Sequence, residues 1–226
     1  MLNLVFTEAA LELVPKEILR HPSVKRYAKR RKKPPEETLL DRSLHHYAMD
    51  RLPNAEKRGR PDILHFCLLL TMGSPLNRMG KLRVSINTLN DFFIDVNPSA
   101  RPPRDCVRFN SLMEQLLIKG SVPPDSEEPL MQVKRENLKE HLMRFKPSKT
   151  IALSSHGKSS SFEEVAMILL KETSPVLLIG AYPYGPMKSD VLKEVDEVYS
   201  VYPETLEAWT VTSRIIYEYE KIEMVK

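Results

Sequence analysis

An arginine and an aspartate stand on either side of a proline in the segment Gly59-Arg60-Pro61-Asp62. A paired guanidinium and carboxylate could bind a polar ring that carries hydrogen-bond donors and acceptors along its edge. The alternative is structural, because Pro61 suits the first turn of a helix. Asp62 would then stabilise the helix dipole, and Arg60 would simply pair with it.

Three more arginines, Arg101, Arg104 and Arg108, lie on a proline-rich loop and at the start of the helix that follows it. A guanidinium binds phosphate through two parallel hydrogen bonds, so a cluster without matching carboxylates favours phosphate binding. Arg104 and Arg108 are four residues apart and would share a helix face if the helix begins early enough. Ordinary surface arginines are the alternative.

Two loops that follow predicted strands form a third candidate site. Residues 180–186 contain two glycines and two prolines after an apolar run, and residues 201–206 follow the next predicted strand. Ligands of open α/β sheets bind at the carboxyl ends of strands, where glycine lets the backbone approach closely. Each loop by itself could equally be a tight turn.

The sequence lacks the residue patterns that several common binding sites and enzymes require. The seven glycines form neither a P-loop nor a G-x-G-x-x-G motif, which excludes nucleotide binding through those loops. Two cysteines cannot make a disulfide framework or a zinc cluster, and His45-His46 has no third ligand at metal spacing. Ser154-Ser155-His156 has no nucleophile elbow, which argues against a hydrolase. We therefore predict no metal.

The formal net charge is only +4, but the charges are unevenly distributed. Residues 25–33 are almost all basic, further cations continue to Arg108, and the last stretch, from Glu218 to Glu223, is acidic. A chain polarised in this way often faces a polyanion such as RNA. For the basic run alone, a solvated helix face is the alternative.

Hydrophobic residues make up 42% of the 226 residues, which is enough for a sizeable core. The longest apolar runs, residues 66–72 and 175–181, are far shorter than the roughly 18 residues that cross a bilayer. No basic region precedes the apolar residues 1–6, so we expect neither a signal peptide nor a membrane partner. A reducing, cytoplasmic location is expected (nucleolar for a eukaryotic chain).

Alternating strands and helices predict an α/β fold. We predict strands over residues 2–6, 83–86, 91–96, 150–153, 176–179 and 197–200, and helices over 8–13, 23–33, 39–49, 62–72, 108–118, 161–170, 188–195 and 205–219. Residues 83–96 are typical of a hairpin, and the apolar run 176–179 is typical of a strand covered on both faces. The alternation favours a mainly parallel sheet flanked by helices.

Motifs spread over nearly the whole chain occur in the order and spacing of one family. They are Leu39–His46, Arg58–His65, Ser74–Asn77, Val96–Pro98, Arg101-x-Pro103-Arg104, Arg108–Leu117, Gly180-x-x-x-x-Gly185, Tyr202-Pro203 and Glu207–Thr210. No single motif is decisive, but together they resemble the nucleolar essential protein family of pseudouridine N1-methyltransferases, in its archaeal form. That family belongs to the SPOUT class.

The resemblance implies a trefoil-knotted α/β fold and one domain over residues 1–226. This domain would include a basic, proline-rich extension around residues 20–60 and a C-terminal knot region around residues 150–226. The implied activity is methyl transfer from S-adenosylmethionine to N1 of a pseudouridine in small-subunit rRNA, with a role in small-subunit biogenesis. Implied partners are that rRNA, a second copy of the chain and small-subunit ribosomal proteins. A non-catalytic RNA-binding assembly factor is the rival function.

The family's motifs also imply roles for individual residues. Arg60 and Asp62 would be catalytic, with Asp62 orienting Arg60 or the base, or acting as a general base. RNA would be bound by Arg60, Asp62, Arg101, Arg104 and Arg108. Knot loops would hold the cofactor through Gly180, Gly185, Tyr199, Ser200, Val201, Tyr202, Pro203, Glu204, Thr205 and Leu206. A further wall is expected around Ser159 and Ser160.

Overall fold

One sheet of eight strands organises residues 1–224, the part of the chain that this computed structural model describes. The strands are β1 (Leu2–Ala9), β2 (Leu82–Thr88), β3 (Phe93–Val96), β4 (Ser121–Val122), β5 (Met131–Lys134), β6 (Lys149–Ser159), β7 (Pro175–Gly180) and β8 (Glu197–Ser200). The helices are α1 (Pro22–Arg31), α2 (Arg42–Met49), α3 (Pro61–Gly73), α4 (Pro75–Arg78), α5 (Cys106–Lys119), α6 (Leu138–Phe145), α7 (Phe162–Leu170), α8 (Ser189–Leu192) and α9 (Ala208–Met224). Val225 and Lys226, the end of the predicted domain, lie outside the described residues.

Five neighbouring strands, in the order β2-β1-β7-β6-β8, run parallel to one another. The antiparallel strands β3, β5 and β4 extend the sheet beyond β2. The predicted hairpin is therefore present as β2 and β3, and strand β8 has the predicted bounds. The predicted α/β class, with a mainly parallel sheet flanked by helices, is confirmed.

Strand β7 shows why both faces of the sheet are covered. Its residues alternate: Leu177 and Ile179 belong to the large core with α3, α5, α7 and α9, whereas Val176 and Leu178 belong to a second core with α6 and α8. All four side chains are at most 2% exposed. Each buried aliphatic side chain contributes about 1.5–3 kcal/mol, which explains the uninterrupted apolar run.

The basic segment before α3 has a small core of its own, formed by Val14, Val24, Leu40, Met49 and neighbouring side chains. A carboxylate fastens this segment to the rest of the fold. Glu114 of α5 is fully buried and accepts hydrogen bonds from Arg31 at 3.1 Å and from Lys33 at 2.5 Å. A buried carboxylate without its cations would be strongly destabilising, so this contact holds the extension in one place.

The helix predicted over residues 8–13 is wrong. Strand β1 continues to Ala9, and Leu13 forms a bridge with Leu39. Glu8 lies in the left-handed region, at φ 51°, where the register of β1 against β2 shifts. That conformation costs a residue other than glycine about 1–2 kcal/mol. The side chains of this segment are instead buried in the core. The amide of Ala10 donates a hydrogen bond to the carbonyl of Ala181 at 2.9 Å.

Two other differences from the sequence prediction concern the loops. Strand β5 and helix α6 occupy a region for which we predicted no elements, and α8 is shorter than predicted. Helix α6 begins with a capping box between Asn137 and Glu140, a local signal that identifies its start. The second capping box, between Ser161 and Glu164, begins α7 as predicted.

Strand β6 pairs with β8 in two stretches that are separated by a shift of register. Both Leu153 and Lys158 pair with Tyr199, so β6 bulges between these two residues. A Cβ atom on Gly157 would lie 2.5 Å from the carbonyl carbon of Tyr199, so only glycine fits at this close approach. The threading of the predicted knot stays a prediction.

Candidate functional site

A cavity of about 470 Å³ lies where β7, β8 and the straight part of β6 reach their carboxyl ends. Its wall comes from the bend in β6 at residues 153–156, the loop after β7 and the loop after β8 that leads into α9. Parallel strands end together at one edge of a sheet, which is why segments distant in sequence meet here. The volume is typical of a pocket for a small organic ligand.

The wall of this cavity is acidic. Glu204 and Glu207 line it, and among the residues that the structure describes no lysine or arginine does. Apolar groups of Leu153, Ile179 and Met187 form part of the lining. Carboxylates favour a positively charged ligand, and the apolar groups favour one with a flat or aliphatic part.

Most of the residues predicted to bind the cofactor line this cavity: Gly180, Gly185, Ser200, Val201, Tyr202, Glu204, Thr205 and Leu206. Tyr199 and Pro203 do not. Tyr199 is buried and donates its hydroxyl hydrogen to Glu197, which raises the pKa of this tyrosine. Pro203 is exposed. The lining is therefore continuous with the predicted loops but does not include every residue in them.

Sequence reasoning missed other parts of the wall. The bend of β6 contributes Ser154, Ser155 and His156, whereas Ser159 and Ser160, the predicted wall residues, do not line the cavity. Strand β6 is longer than predicted and bulges where it pairs with β8. The residues that line the cavity therefore lie earlier in the chain than the two serines. Tyr182 and Tyr184 lie in the predicted loop 180–186 but were not assigned individually, and Glu207 was missed although it begins a motif of the family resemblance.

Gly180 and Gly185 have different reasons to be glycine. A Cβ atom on Gly180 would lie 2.7 Å from Cε1 of Tyr182, so a side chain would displace that ring. Gly185 has φ 93°, which L-residues with side chains rarely adopt. Both glycines therefore shape the loop after β7 rather than merely leaving space.

The predicted Arg60–Asp62 pair forms at the start of α3. Nε and Nη2 of Arg60 donate to the two carboxylate oxygens of Asp62 at 2.8 and 2.7 Å. Both side chains are about one third exposed, at 35% and 37%, so they can reach a ligand. Asp62 also stands in the first turn of the helix, as the structural alternative predicted. The pairing with Arg60 supports the orienting role that was predicted for Asp62. No contact within the described residues supports the alternative role of general base.

Backbone hydrogen bonds hold this pair beside the cavity. The amide of Arg60 donates to the carbonyl of Ala10 at 3.3 Å, and the amide of Ala10 donates to the carbonyl of Ala181. Ala181 begins the loop after β7 that lines the cavity. The field of the cavity carboxylate Glu207 adds to the rise in the pKa of Arg60, after the larger effects of Asp62.

The arginine-rich loop packs against the same helix. Nε2 of His65 in α3 donates to the carbonyl of Pro103 at 2.6 Å, and the His65 ring stacks on Phe109 at 4.2 Å. The pKa of Cys106 is raised by burial and then by the carboxylates Asp41, Asp105 and Asp62. The start of α5 therefore lies near Asp62.

Arg101, Arg104 and Arg108 are all exposed. Arg101 bonds the carbonyls of Pro98 and Ala100, and within residues 1–224 the guanidinium groups of Arg104 and Arg108 have no hydrogen-bond or carboxylate partner. We name these three arginines, together with Arg60 and Asp62, the arginine face. Exposed guanidinium groups without carboxylates are available to bind phosphate.

Other candidate groups are structural. Cys67 is buried, and desolvation raises the pKa of its thiol to about 12. His45 is buried, accepts the amide hydrogen of Asp41 at 3.1 Å and has a pKa lowered by burial. Residues 1–224 contain no cluster of three metal-ligating side chains and no helix with the length and apolarity to cross a membrane.

Fold and site together place an acidic cavity at the edge of a parallel sheet, with exposed arginines beside it. A family model described as EMG1/NEP1 methyltransferase matches residues 4–220, so this chain belongs to that methyltransferase family. The family predicted from the sequence is thereby confirmed.

Individual relatives agree with the family model. The chain is 42% identical over 215 residues to the ribosomal RNA small subunit methyltransferase Nep1 of Staphylothermus marinus, covering 95% of this chain and 93% of the relative. It is 40% identical to the Nep1 of Thermococcus onnurineus, covering 97% and 98%. A crystal structure of Archaeoglobus fulgidus Nep1 bound to S-adenosylhomocysteine superposes with a TM-score of 0.87, at 36% identity and 98% coverage of both chains.

Proposed function

We propose that this chain transfers the methyl group of S-adenosylmethionine to N1 of a pseudouridine in small-subunit rRNA, and so takes part in small-subunit biogenesis. The observation that carries the proposal is an acidic cavity at the strand ends, linked through Ala10 to the partly exposed Arg60–Asp62 pair. The Staphylothermus marinus and Thermococcus onnurineus relatives are small-subunit rRNA methyltransferases, and the Archaeoglobus fulgidus Nep1 binds S-adenosylhomocysteine.

The cavity suits S-adenosylmethionine by size and charge. Its volume of about 470 Å³ is in the range that encloses a small organic ligand. The two carboxylates of Glu204 and Glu207 suit a molecule that carries an ammonium and a sulfonium group. Glycine, proline and serine in the loops expose backbone amides and carbonyls, which would hold the polar edges of such a ligand.

When bound, S-adenosylmethionine supplies an electrophilic methyl group on positively charged sulfur. Methylation replaces the proton of N1, which must leave, and the donor departs as neutral S-adenosylhomocysteine. The protein has to bring N1 of the base into line with the methyl group, and positioning alone can contribute several kcal/mol. Nη1 of Arg60 makes no hydrogen bond within the described residues, because Asp62 is bound by Nε and Nη2. Nη1 would donate to a carbonyl oxygen of the uracil ring, with Asp62 holding the guanidinium in place.

The arginines of the arginine face would bind the phosphates that flank the target. The base must leave its stack to enter a pocket, so a loop nucleotide is the favoured substrate. Phosphate binding releases counterions, so affinity for RNA should fall steeply as salt concentration rises.

We further propose that the chain binds a second copy of itself and small-subunit ribosomal proteins, and that it acts in the cytoplasm.

An apolar patch on α3 and α9 supports the homodimer. Phe66 is 49% exposed, its ring lies 5.3 Å from that of Trp209, and Leu70 next to them is 41% exposed. A mass measurement in solution, with Phe66→Glu as the variant that should dissociate the dimer, tests this part.

The activity is tested with an RNA stem-loop that carries pseudouridine in its loop. We expect a mass increase of one methyl group in the presence of S-adenosylmethionine, and no change in the same stem-loop with uridine, whose N1 is bonded to ribose. Tight RNA binding without saturable cofactor binding or methylation would support the non-catalytic assembly factor instead.

A further inference from the structure

A buried ion pair lies behind the cavity, outside the residues assigned above. Nζ of Lys57 donates to Oε1 of Glu8 at 2.9 Å. Their side chains are only 9% and 2% exposed. Lys57 ends the 3-10 turn before the Arg60–Asp62 segment, and Glu8 stands near the end of β1. Removing two charges from water is costly unless each finds partners, so the other contacts of the pair show what it holds.

Those other contacts all reach the loop after β7, residues 182–188, which we call the cavity loop. Nζ of Lys57 donates to the carbonyl of Pro186 at 2.5 Å and lies 4.2 Å from the centroid of the Tyr182 ring. Oε2 of Glu8 accepts the amide hydrogen of Lys188 at 2.9 Å. The pair therefore fastens both ends of the loop that carries Tyr182 and Gly185 into the cavity wall.

The backbone of Glu8 points to the same role. Its left-handed φ of 51° interrupts the register of β1 and lies in a region that residues with side chains seldom occupy. Strained backbone persists where surrounding contacts determine it, and it clusters at functional sites. Here those contacts are with Lys57 and the amide of Lys188.

We propose that Glu8 and Lys57 are positioning residues that hold the cavity loop in the shape that binds the methyl donor. This inference rests on the proposed function, because it concerns the same cavity. The pair also keeps the charge behind the wall neutral, so that the ammonium of Lys57 does not repel a positively charged cofactor on the other side of Tyr182. Neither residue touches the cavity, so both act through the loop.

A neighbouring ion pair provides a matched control. Nε and Nη2 of Arg58 donate to the carboxylate of Glu12 at 2.7 and 2.6 Å. Arg58 and Glu12 are also largely buried, at 13% and 5% exposure, and join the same two segments of chain. Their other contacts are with Pro53 and Asn90 and not with the cavity loop.

The main test compares two double variants that each remove a complete ion pair, because a single substitution would leave a buried charge unpaired. Calorimetry would measure the affinity for S-adenosylhomocysteine. We expect Glu8→Gln/Lys57→Met to weaken binding about tenfold, because the loop is no longer fastened. The control Glu12→Gln/Arg58→Met should change it less than twofold. Equal effects of the two double variants, or no effect of the first, would overturn the proposal.

The single variant Glu8→Gln separates positioning from charge. Lys57 then keeps its positive charge without a carboxylate partner. The affinity for S-adenosylmethionine, whose sulfur is positively charged, should therefore fall several-fold more than the affinity for S-adenosylhomocysteine, whose sulfur is neutral. A general loss of packing would weaken both ligands equally. An unchanged ratio of the two affinities would remove the electrostatic part of the proposal.

Amide hydrogen exchange supplies a readout that needs no ligand. In Glu8→Gln/Lys57→Met the amide hydrogens of Lys188 and of the peptide that covers the cavity loop should exchange at least tenfold faster than in the parent chain. The exchange rates of the sheet amides should not change. If the parent chain bound no cofactor, the proposed function would fail while this measurement still tested the role of the pair. Unaltered exchange in the loop would refute that role.

Discussion

The cavity and the arginine face lie side by side but are built in opposite ways. The cavity is formed by loops at strand ends, and one of these loops is fastened by the buried residues Glu8 and Lys57. The arginine face consists of exposed or partly exposed side chains, and its three loop arginines, Arg101, Arg104 and Arg108, have no side-chain partner in the described part of the chain. A small ligand gains affinity from a site ordered in advance, whereas phosphates are bound by charges that stay solvated until contact.

The largest expected effect would come from the arginine face. The triple variant Arg101→Ala/Arg104→Ala/Arg108→Ala should lose roughly 100- to 1,000-fold in RNA affinity. The slope of log affinity against log salt should become shallower by about 2, since each single-strand phosphate contact contributes about 0.7. Fluorescence anisotropy at several salt concentrations measures both quantities, and cofactor affinity should not change.

A charge-matched control makes that experiment specific. Lys139, Lys146 and Lys171 are exposed and lie on α6 and after α6 and α7. Their triple replacement by alanine removes the same charge and should lower RNA affinity less than fivefold. If both triple variants behaved alike, RNA binding would depend on net charge and not on the arginine face.

The second prediction concerns the close approach of β6 to β8 at Gly157, next to the cavity wall. Gly157→Ala should destabilise the fold by about 3 kcal/mol, because its Cβ would meet the backbone of Tyr199 and a strand would have to move. Gly73→Ala has no heavy atom within 4 Å of the new Cβ and should change stability by less than about 1 kcal/mol. Urea denaturation measures the free energy of unfolding of both variants. Similar values for the two would contradict the close approach of Gly157 to Tyr199.

Asp62→Asn tests the group that links the two regions. The Arg60–Asp62 pair is one third exposed, so its loss should change the stability by less than about 1 kcal/mol. Without the carboxylate, Arg60 is no longer held, and methyl transfer should slow by about ten- to a hundredfold. Turnover measurements with the stem-loop give this value, with Asp50→Asn as an exposed control. Full activity of Asp62→Asn would exclude the orienting role.

The smallest effect is in thiol chemistry. Only the thiolate reacts with iodoacetamide, and the raised pKa of Cys106 keeps its thiol protonated to a higher pH than in a free cysteine. Its alkylation should therefore be slower than that of an unfolded peptide at pH 8, and the difference should narrow as pH rises. Bound RNA should slow it further, several-fold, if α5 contacts RNA. Cys67, with a pKa of about 12, should react only after unfolding.

Local patterns explain how far sequence reasoning reached. The helix over residues 161–170 and the strand over 197–200 are predictable because a serine cap and the strand-favouring pair Val198-Tyr199 are signals within a few residues. Residues 8–13 have equally clear helical preferences, but hydrogen bonds to Ala181 and burial in the sheet decide their conformation. Propensity is worth tenths of a kcal/mol per residue, and burial of several side chains exceeds it.

The same division holds for the site. Residue types and spacing alone identified the Arg60–Asp62 pair, the clustered arginines and the glycine loops after the strands as candidates. The resemblance of motifs over the whole chain identified the methyltransferase family. Only the tertiary structure could show that Lys57 reaches the carbonyl of Pro186, which is 129 residues away in the chain, or that the bend of β6 completes the cavity. Short-range preferences are written in neighbouring residues, whereas contacts between distant segments depend on how the whole sheet packs.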